Sequence, residues 1–175
     1  MGTARQFVYK RTTFSITFCP RSPANGRLYS MPGTAIDIQY YPVAGNHVLK
    51  EASILSLSGH VCHHFVFACP VPYDGLTLGD RKTASYIANK LGAVPYNDGV
   101  ETMDSFLSCI PNDALLFVNG HVKKDILKKL LSSHRIVVVK HPFRLMISHV
   151  KCSFPSTHGQ CSFTNVHKIR NYLLN

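Results

Sequence analysis

Short hydrophobic runs, several of them alternating with polar residues, predict three consecutive β-strands in the first half of the chain. The runs cover residues 34–41, 48–57 and 61–68. A turn at 42–47 separates the first two runs, and Ser58-Gly59 separates the second from the third. Connections this short join antiparallel neighbours, so the pattern predicts a three-strand antiparallel meander.

After residue 70 the hydrophobic period changes from two residues to that of a helix. Helical spacing predicts helices at 80–91, 101–110, 121–132 and 161–174, and a short helix at 142–150. Apolar runs at 114–118 and 135–140 predict two further strands. The order predicts an α/β domain with a mixed sheet over 34–175, preceded by a basic arm rich in Pro, Gly and Ser at 1–33 with one edge strand at 14–18.

Charge is unevenly distributed along the 175 residues. The formal net charge is +10 and the isoelectric point is about 9.5. Residues 118–175 hold ten basic residues and one acidic residue, whereas residues 37–117 hold four basic and eight acidic. A basic balance of this size makes polyanions, above all nucleic acid, the expected class of partner.

The cellular setting is predicted from what the chain contains and lacks. Its longest wholly apolar runs are of strand length, so we expect no membrane partner. The N-terminus has no secretory signal pattern, and six scattered cysteines accompany enough hydrophobic residues to form a core unaided. These features predict reduced thiols and an intracellular location, in the cytoplasm or the nucleus.

Three short segments carry a resemblance to a known enzyme family. They are Asp37-Ile38-Gln39 on the first strand, the stretch from Asn119 to Asp125 at the start of a helix, and residues 160–165 at the start of the last helix. With these segments, residues 34–175 resemble the DEDD-type 3′–5′ exonucleases of the DnaQ-like group, especially divergent relatives in viruses and mobile elements. The resemblance implies a ribonuclease H-like fold.

The resemblance also implies an active site that this chain has lost or altered. Family members carry Asp-x-Glu, a second Asp, and His-x-Ala-Leu-x-Asp, and their four carboxylates hold two divalent metal ions. Here Asp37 is retained. Lys123 aligns with the second Asp unless a shifted register uses Asp125. The other altered positions are Gln39 in place of Glu, Gln160 in place of His, and Asn165 in place of the last Asp.

These substitutions decide which chemistry we expect. Mg²⁺ binds hard anionic oxygens, whereas Gln and Asn offer only neutral carbonyls and Lys repels a cation. The leading hypothesis is therefore a catalytically degenerate exonuclease-like domain, with Asp37 and Asp125 as remnants of the catalytic set. The alternative is an active metal-dependent 3′–5′ exonuclease that needs Mg²⁺ and recruits other carboxylates from among Glu51, Asp98, Glu101 and Asp104.

Basic residues near the C-terminus form a candidate nucleic-acid-binding set. If they share a surface, they predict salt-sensitive binding without sequence preference; a replication or packaging protein is the other expected partner. Tyr40, Tyr41, Tyr96 and Phe143 are candidates for stacking on unpaired bases. The basic set is Lys123, Lys124, Lys128, Lys129, Lys168 and Arg170.

A third hypothesis is a structural or interaction protein with a small zinc knot. His149, Cys152, His158 and Cys161 have the residue types and the paired two-residue gaps of a tetrahedral zinc site. The alternative interpretation is that the two cysteines are partly buried thiols beside surface histidines. The segment from Cys62 to His64 is interpreted as ordinary strand sequence, because neighbouring strand residues point to opposite faces.

Overall fold

The computed structural model describes residues 33–59, 61–91, 93–140, 152 and 161–175. These residues form an α/β structure with a five-stranded mixed sheet, four α-helices and one 3-10 turn at Tyr73–Gly75. The strands are β1 (Gly33–Val43), β2 (Asn46–Ser56), β3 (Cys62–Val66), β4 (Leu115–Val118) and β5 (Arg135–Val138). The helices are α1 (Leu78–Leu91), α2 (Met103–Ser108), α3 (His121–Leu130) and α4 (Ser162–Leu174).

The strands lie in the order β3-β2-β1-β4-β5, with β1 at the centre. β2 is antiparallel to both β1 and β3, whereas β4 is parallel to both β1 and β5. The predicted α/β class with a mixed sheet is confirmed. Parallel neighbours require crossover connections, which is why a helix lies between β4 and β5.

The predicted strands and helices lie close to the observed ones, and the main difference is the length of the first hairpin. The turn expected at 42–47 is only Ala44-Gly45, because β1 continues to Val43 and β2 begins at Asn46. Both turn residues have positive φ, 48° and 75°, as a two-residue hairpin turn requires. The expected edge strand at 14–18 and helix at 142–150 lie outside the described residues.

Opposite faces of the sheet are covered by different helices. Ile36, Ile38 and Leu116 pack with Phe106 of α2 and Leu127 of α3 on one face. On the other face, a separate apolar cluster joins the sheet to α4 through Ala35, Leu55, Val166 and Ile169. Because side chains alternate along a strand, Asp37 shares the α4 face with Ala35.

A buried lysine joins β2 to the segment that follows β3. The register of β1 and β2 shifts after Gln39, which pairs with Glu51, while Tyr40 pairs with Leu49, so Lys50 is the extra residue of a bulge. Its side chain is 1% exposed, and Nζ donates to the carbonyls of Phe67 and Tyr96 at 2.9 Å and also to that of Asp98. Burial lowers the pKa of Lys50 below its usual value.

Among the described residues, no helix is both long and apolar enough to cross a membrane.

Candidate functional site

The centre of the site is the fully buried carboxylate of Asp37 in the middle of β1. The Lys123 ammonium donates to Oδ1 at 2.7 Å, and the Asn165 amide donates to Oδ2 at 2.9 Å. Gln39 Nε2 makes a longer contact with Oδ2, at 3.3 Å. The structure therefore brings together Asp37 and three of the four altered positions, and the fourth, Gln160, lies outside the described residues.

The charge of Asp37 is stabilised by its neighbours against a large desolvation cost. Burial raises the pKa of Asp37 above its usual value, while the Lys123 charge and the Lys123 and Asn165 hydrogen bonds offset part of the increase. Lys123 is 19% exposed, so its ammonium group keeps some contact with water. The pair is a partly buried salt bridge, in which each partner makes the burial of the other tolerable.

Lys123 reaches Asp37 because of how α3 begins. Gly120 precedes the helix with a φ of 95°, a conformation that glycine adopts without strain, and no side chain caps the helix at that position. Lys123 lies in the first turn of α3, and only residues 119 and 120 separate this helix from the end of β4. Since β4 lies beside β1 in the sheet, this turn is carried to the middle of β1.

A second buried carboxylate, Glu51 of β2, holds the start of α4. Its Oε1 accepts hydrogen bonds from the Ser162 amide at 2.7 Å and the Ser162 hydroxyl at 2.8 Å. A carboxylate placed at the first amides of a helix satisfies donors that have no partner within the helix. Ser53 Oγ lies 2.7 Å from Ser162 Oγ. Together with the Asp37–Asn165 bond, these contacts fix the first turn of α4 on the sheet.

Glu51 also begins a chain of contacts that leads to two cysteines. Its Oε1 lies 3.0 Å from His64 Nε2, and His64 Nδ1 lies 3.8 Å from Cys152 Sγ. Hydrogen bonds with Cys152 and, to a smaller extent, with Thr164 lower the pKa of Cys161 to about 6. The Cys161 sulfur also caps α4 by accepting from the Thr164 amide at 3.4 Å.

A cavity of about 310 Å³ opens beside these groups. The cavity is lined by Glu51, by Lys123 of the salt bridge with Asp37, and by Cys161 at the start of α4. Its lining combines an ammonium group, a carboxylate, an amide and a thiol with apolar side chains from β1 and α1. The lining residues are Gln39, Tyr40, Pro42, Glu51, Ile87, Ala93, Lys123 and Cys161.

The remaining candidate carboxylates lie elsewhere. Asp125 is exposed on α3. Its position therefore does not support the shifted alignment in which Asp125 is the second catalytic Asp. Asp98 and Glu101 are exposed in the segment between α1 and α2, and Asp104 is exposed on α2. Of the four carboxylates considered for recruitment, Glu51 is the one that lines the cavity with Lys123, and its Oε1 is already bonded to Ser162.

Asp37 and its neighbours do not fit a pair of divalent cations. They supply one carboxylate and two neutral amides, and an ammonium group lies at hydrogen-bond distance from the carboxylate. A two-metal centre requires several anionic oxygens converging on ions about 4 Å apart. Within the part of the chain that the structure describes, Mg²⁺ therefore has no suitable ligand set around Asp37.

The candidate basic residues divide between the two faces of the sheet. Lys124, Lys128 and Lys129 lie on α3 with Lys123, whereas Lys168 and Arg170 lie on α4, which packs on the opposite face. Lys128 and Lys129 are exposed. Arg170 has a structural contact, because its Nε donates to the Leu57 carbonyl at 3.0 Å. The expected single basic surface is thus replaced by one lysine patch on α3 (Lys124, Lys128, Lys129).

Two of the proposed stacking aromatics belong to the core. Tyr41 is 1% exposed and donates its hydroxyl to the Val94 carbonyl at 2.7 Å, and Tyr96 is 4% exposed and packs edge-on against it. The prediction that they stack on nucleic-acid bases is wrong, because neither ring has a face open to a ligand. Tyr40 is partly buried at the cavity, and Phe143 lies outside the described residues.

The predicted zinc ligands are described only in part. Cys152 and Cys161 are among the described residues, while His149 and His158 lie outside them. No group of three or more His, Cys, Asp or Glu side chains within the described ranges forms a ready metal centre. The contact between His64 and Cys152 is not predicted from the sequence, because the two residues lie 88 positions apart.

Comparison with known proteins adds no relative from which a function could be transferred: no family model, no curated protein and no solved structure matches the chain.

Proposed function

We propose that the protein is a catalytically degenerate, exonuclease-like domain that binds nucleic acid without sequence preference. The observation that carries the loss of catalysis is the Lys123 ammonium group bonded to Asp37 at 2.7 Å. A protein cation there neutralises the one carboxylate of the expected set that the chain retains at this point. Metal-assisted hydrolysis would require the opposite arrangement, in which carboxylates attract cations.

The proposed ribonuclease H-like architecture is supported by the strand order. A central β1 has two antiparallel strands on one side and two parallel strands on the other, in the order 3-2-1-4-5. It is supported further by the positions of the altered residues. Gln39, Lys123 and Asn165 stand at motif positions in three distant segments, and all three contact one carboxylate.

Nucleic-acid binding is proposed from charge and exposure. The lysine patch on α3 adds three positive charges on one helix, offset by the single carboxylate of Asp125. Lysines neutralise phosphates by releasing condensed counterions, a term that does not depend on base sequence. If three lysines contact a single strand, the logarithm of the affinity should fall with the logarithm of salt concentration with a slope of about −2.

The test is the binding of a labelled single-stranded oligonucleotide, followed by fluorescence anisotropy over a range of salt concentrations. The double variant Lys128→Gln/Lys129→Gln should bind about tenfold more weakly at low salt, with a slope that is shallower by about 1.4. The matched control is Lys82→Gln/Lys90→Gln, which removes two exposed lysines from α1. Equal losses in both double variants, or no binding at low salt, would overturn the nucleic-acid proposal and favour a protein partner.

The same oligonucleotides test the active-exonuclease alternative. Incubation with Mg²⁺ or Mn²⁺ should leave them intact, because Asp37 and its neighbours lack anionic ligands. Degradation from the 3′ end that is abolished by Asp37→Ala would establish the active enzyme instead.

A further inference from the structure

We propose that Cys152 is a nucleophilic thiol that accepts acyl groups from activated esters, with His64 as its general base and Glu51 as the residue that positions His64. The three side chains come from distant segments: Glu51 from β2, His64 from the neighbouring strand β3, and Cys152 from the chain that precedes α4. The proposal does not depend on the proposed function, because none of these residues belongs to the lysine patch.

The imidazole ring of His64 lies within reach of the thiol proton of Cys152. Its Nδ1 is 3.8 Å from Cys152 Sγ, a separation that the large radius of sulfur allows for a hydrogen bond. Both groups are partly open to solvent, since the His64 side chain is 16% exposed and Cys152 is half-buried. A small ester can therefore approach the sulfur from solvent.

Glu51 determines which nitrogen of His64 faces the thiol as a base. Its Oε1 lies 3.0 Å from His64 Nε2, and because a carboxylate only accepts hydrogen bonds, the proton of the neutral ring stays on Nε2. The lone pair of Nδ1 is then directed at Cys152. A nucleophile, a base and a group that orients the base, in this order, are the arrangement that nucleophilic catalysis requires.

The carboxylate that orients His64 is itself held firmly. Glu51 is 1% exposed, and its Oε1 also accepts from the Ser162 amide at 2.7 Å and the Ser162 hydroxyl at 2.8 Å. His64 pairs with Ser53 in the β2–β3 register, which places it beside Glu51 on the face covered by α4. The ring of Phe163 lies 5.8 Å from the His64 ring and limits its rotation.

The proposed step is an acyl transfer to sulfur. The thiol proton moves to His64 Nδ1 while the sulfur forms a bond to the carbonyl carbon of the ester. The bond from that carbon to the leaving oxygen breaks, and the imidazolium returns its proton to that oxygen. The products are an alcohol and a thioester on Cys152, so the atoms and electrons balance without a further reactant. An ester suits this pair because its leaving group must be protonated, and the imidazole holds a proton at that moment.

The first experiment is acetylation of the full-length protein, purified under reducing conditions, by p-nitrophenyl acetate. Release of p-nitrophenolate gives the rate, and mass mapping of peptides locates the acetyl group. We expect Cys152 to react about 100-fold faster than Cys109, a partly buried cysteine at the end of α2. Cys152→Ser should lose the fast reaction, whereas Cys109→Ser should keep it.

Replacement of His64 tests its role as the base. His64→Ala should slow acetylation of Cys152 by about 100-fold, and imidazole added to the buffer should restore part of the rate. A histidine with a purely structural role would not be replaced by free imidazole. The matched control is His63→Ala, because the neighbouring ring lies on the opposite face of the sheet, near Phe65. Circular dichroism verifies that both variants are folded.

A double variant tests whether Glu51 acts through His64. Glu51→Gln keeps the shape of the side chain and an oxygen that accepts from Ser162, but it removes the charge that orients the imidazole, so acetylation should slow at least about tenfold. In the His64→Ala background the same substitution should have no further effect, because a positioning residue acts only through the ring.

Three results would overturn the proposal. One is acetylation of Cys152 no faster than that of Cys109, and another is a wild-type rate in His64→Ala or a lost rate that imidazole does not restore. The third is rapid oxidation of Cys152 by a hydroperoxide without acetylation by the ester, which would assign the thiol to redox chemistry instead.

Discussion

The Lys123 ammonium group lies 2.7 Å from Oδ1 of Asp37, although 86 positions separate the two residues in the sequence. The lysine comes from the first turn of α3, and the aspartate lies fully buried in the central strand. This salt bridge places a positive charge beside Asp37, the carboxylate that the chain retains at the motif positions of the resembled family. Under the proposed function, the same contact that stabilises the buried carboxylate also keeps it from serving as a metal ligand.

Removal of the Lys123 charge should destabilise the protein markedly. Lys123→Met leaves the Asp37 carboxylate buried without a counter-charge, so we expect the free energy of unfolding to fall by about 2–4 kcal/mol. This loss is smaller than for a fully buried ion pair, because Lys123 is partly exposed. Urea denaturation provides the measurement. Lys128→Met is the control on the same helix and should change stability by no more than about 0.5 kcal/mol.

The double variant Asp37→Asn/Lys123→Met tests whether the loss of stability in Lys123→Met comes from the unpaired charge of Asp37. Because it contains no bare buried charge, it should be more stable than Lys123→Met alone. Additive losses from the two substitutions would show that the residues do not act as an ion pair.

Reversal of the charge at Lys123 should create an affinity for divalent cations. Lys123→Asp places a second carboxylate beside Asp37, so Mg²⁺ should raise the unfolding temperature of the variant but not that of the wild-type protein. Differential scanning fluorimetry with and without Mg²⁺ is sufficient, and Lys128→Asp is the control for the change in net charge. If the Lys123→Asp variant folds only in the presence of Mg²⁺, that result also supports the prediction. Equal stabilisation of the wild type and the variant by Mg²⁺ contradicts it.

The buried Lys50 should be among the most sensitive positions in the chain. Lys50→Met removes the donor shared by the carbonyls of Phe67, Tyr96 and Asp98, and we expect a loss of about 2–4 kcal/mol because buried acceptors are left unsatisfied. Chemical denaturation measures the loss. Lys90→Met, on an exposed lysine of α1, provides the comparison, and a similar small effect at both positions would contradict the role assigned to Lys50.

His167 should make the protein less stable in mild acid. Burial, with a smaller contribution from Arg170, lowers the pKa of His167 below its usual value of 6.5. The unfolded chain therefore binds the proton more readily, so stability is complete above about pH 7 and decreases as the pH falls through the unfolded value. His167→Gln should reduce the dependence of the unfolding free energy on pH between about pH 5 and pH 7. His47→Gln, at an exposed histidine, is the matched control, and an identical pH dependence in wild type and His167→Gln would contradict the prediction.

Much of the fold follows from local patterns in the sequence. Alternation in the stretches around Ile36 and Ile54 determines two strands, and helical spacing in the segment with Ile126 and Leu127 determines α3. These patterns are local because they reflect which side of each element must be buried. The motif positions of the resembled family also fall on Asp37, Lys123 and Asn165, which meet in the structure.

The sequence by itself determined the element order, the excess of positive charge and the shortage of carboxylates at the motif positions. Only the tertiary structure decided that Lys123 bonds to Asp37, that Glu51 holds the start of α4, and that His64 meets Cys152. The physical reason is that these contacts depend on strand register, on the bulge at Lys50 and on the packing of helices across the sheet. Such long-range geometry leaves no periodic signal in the chain, so the partners of a buried charge become visible only after folding.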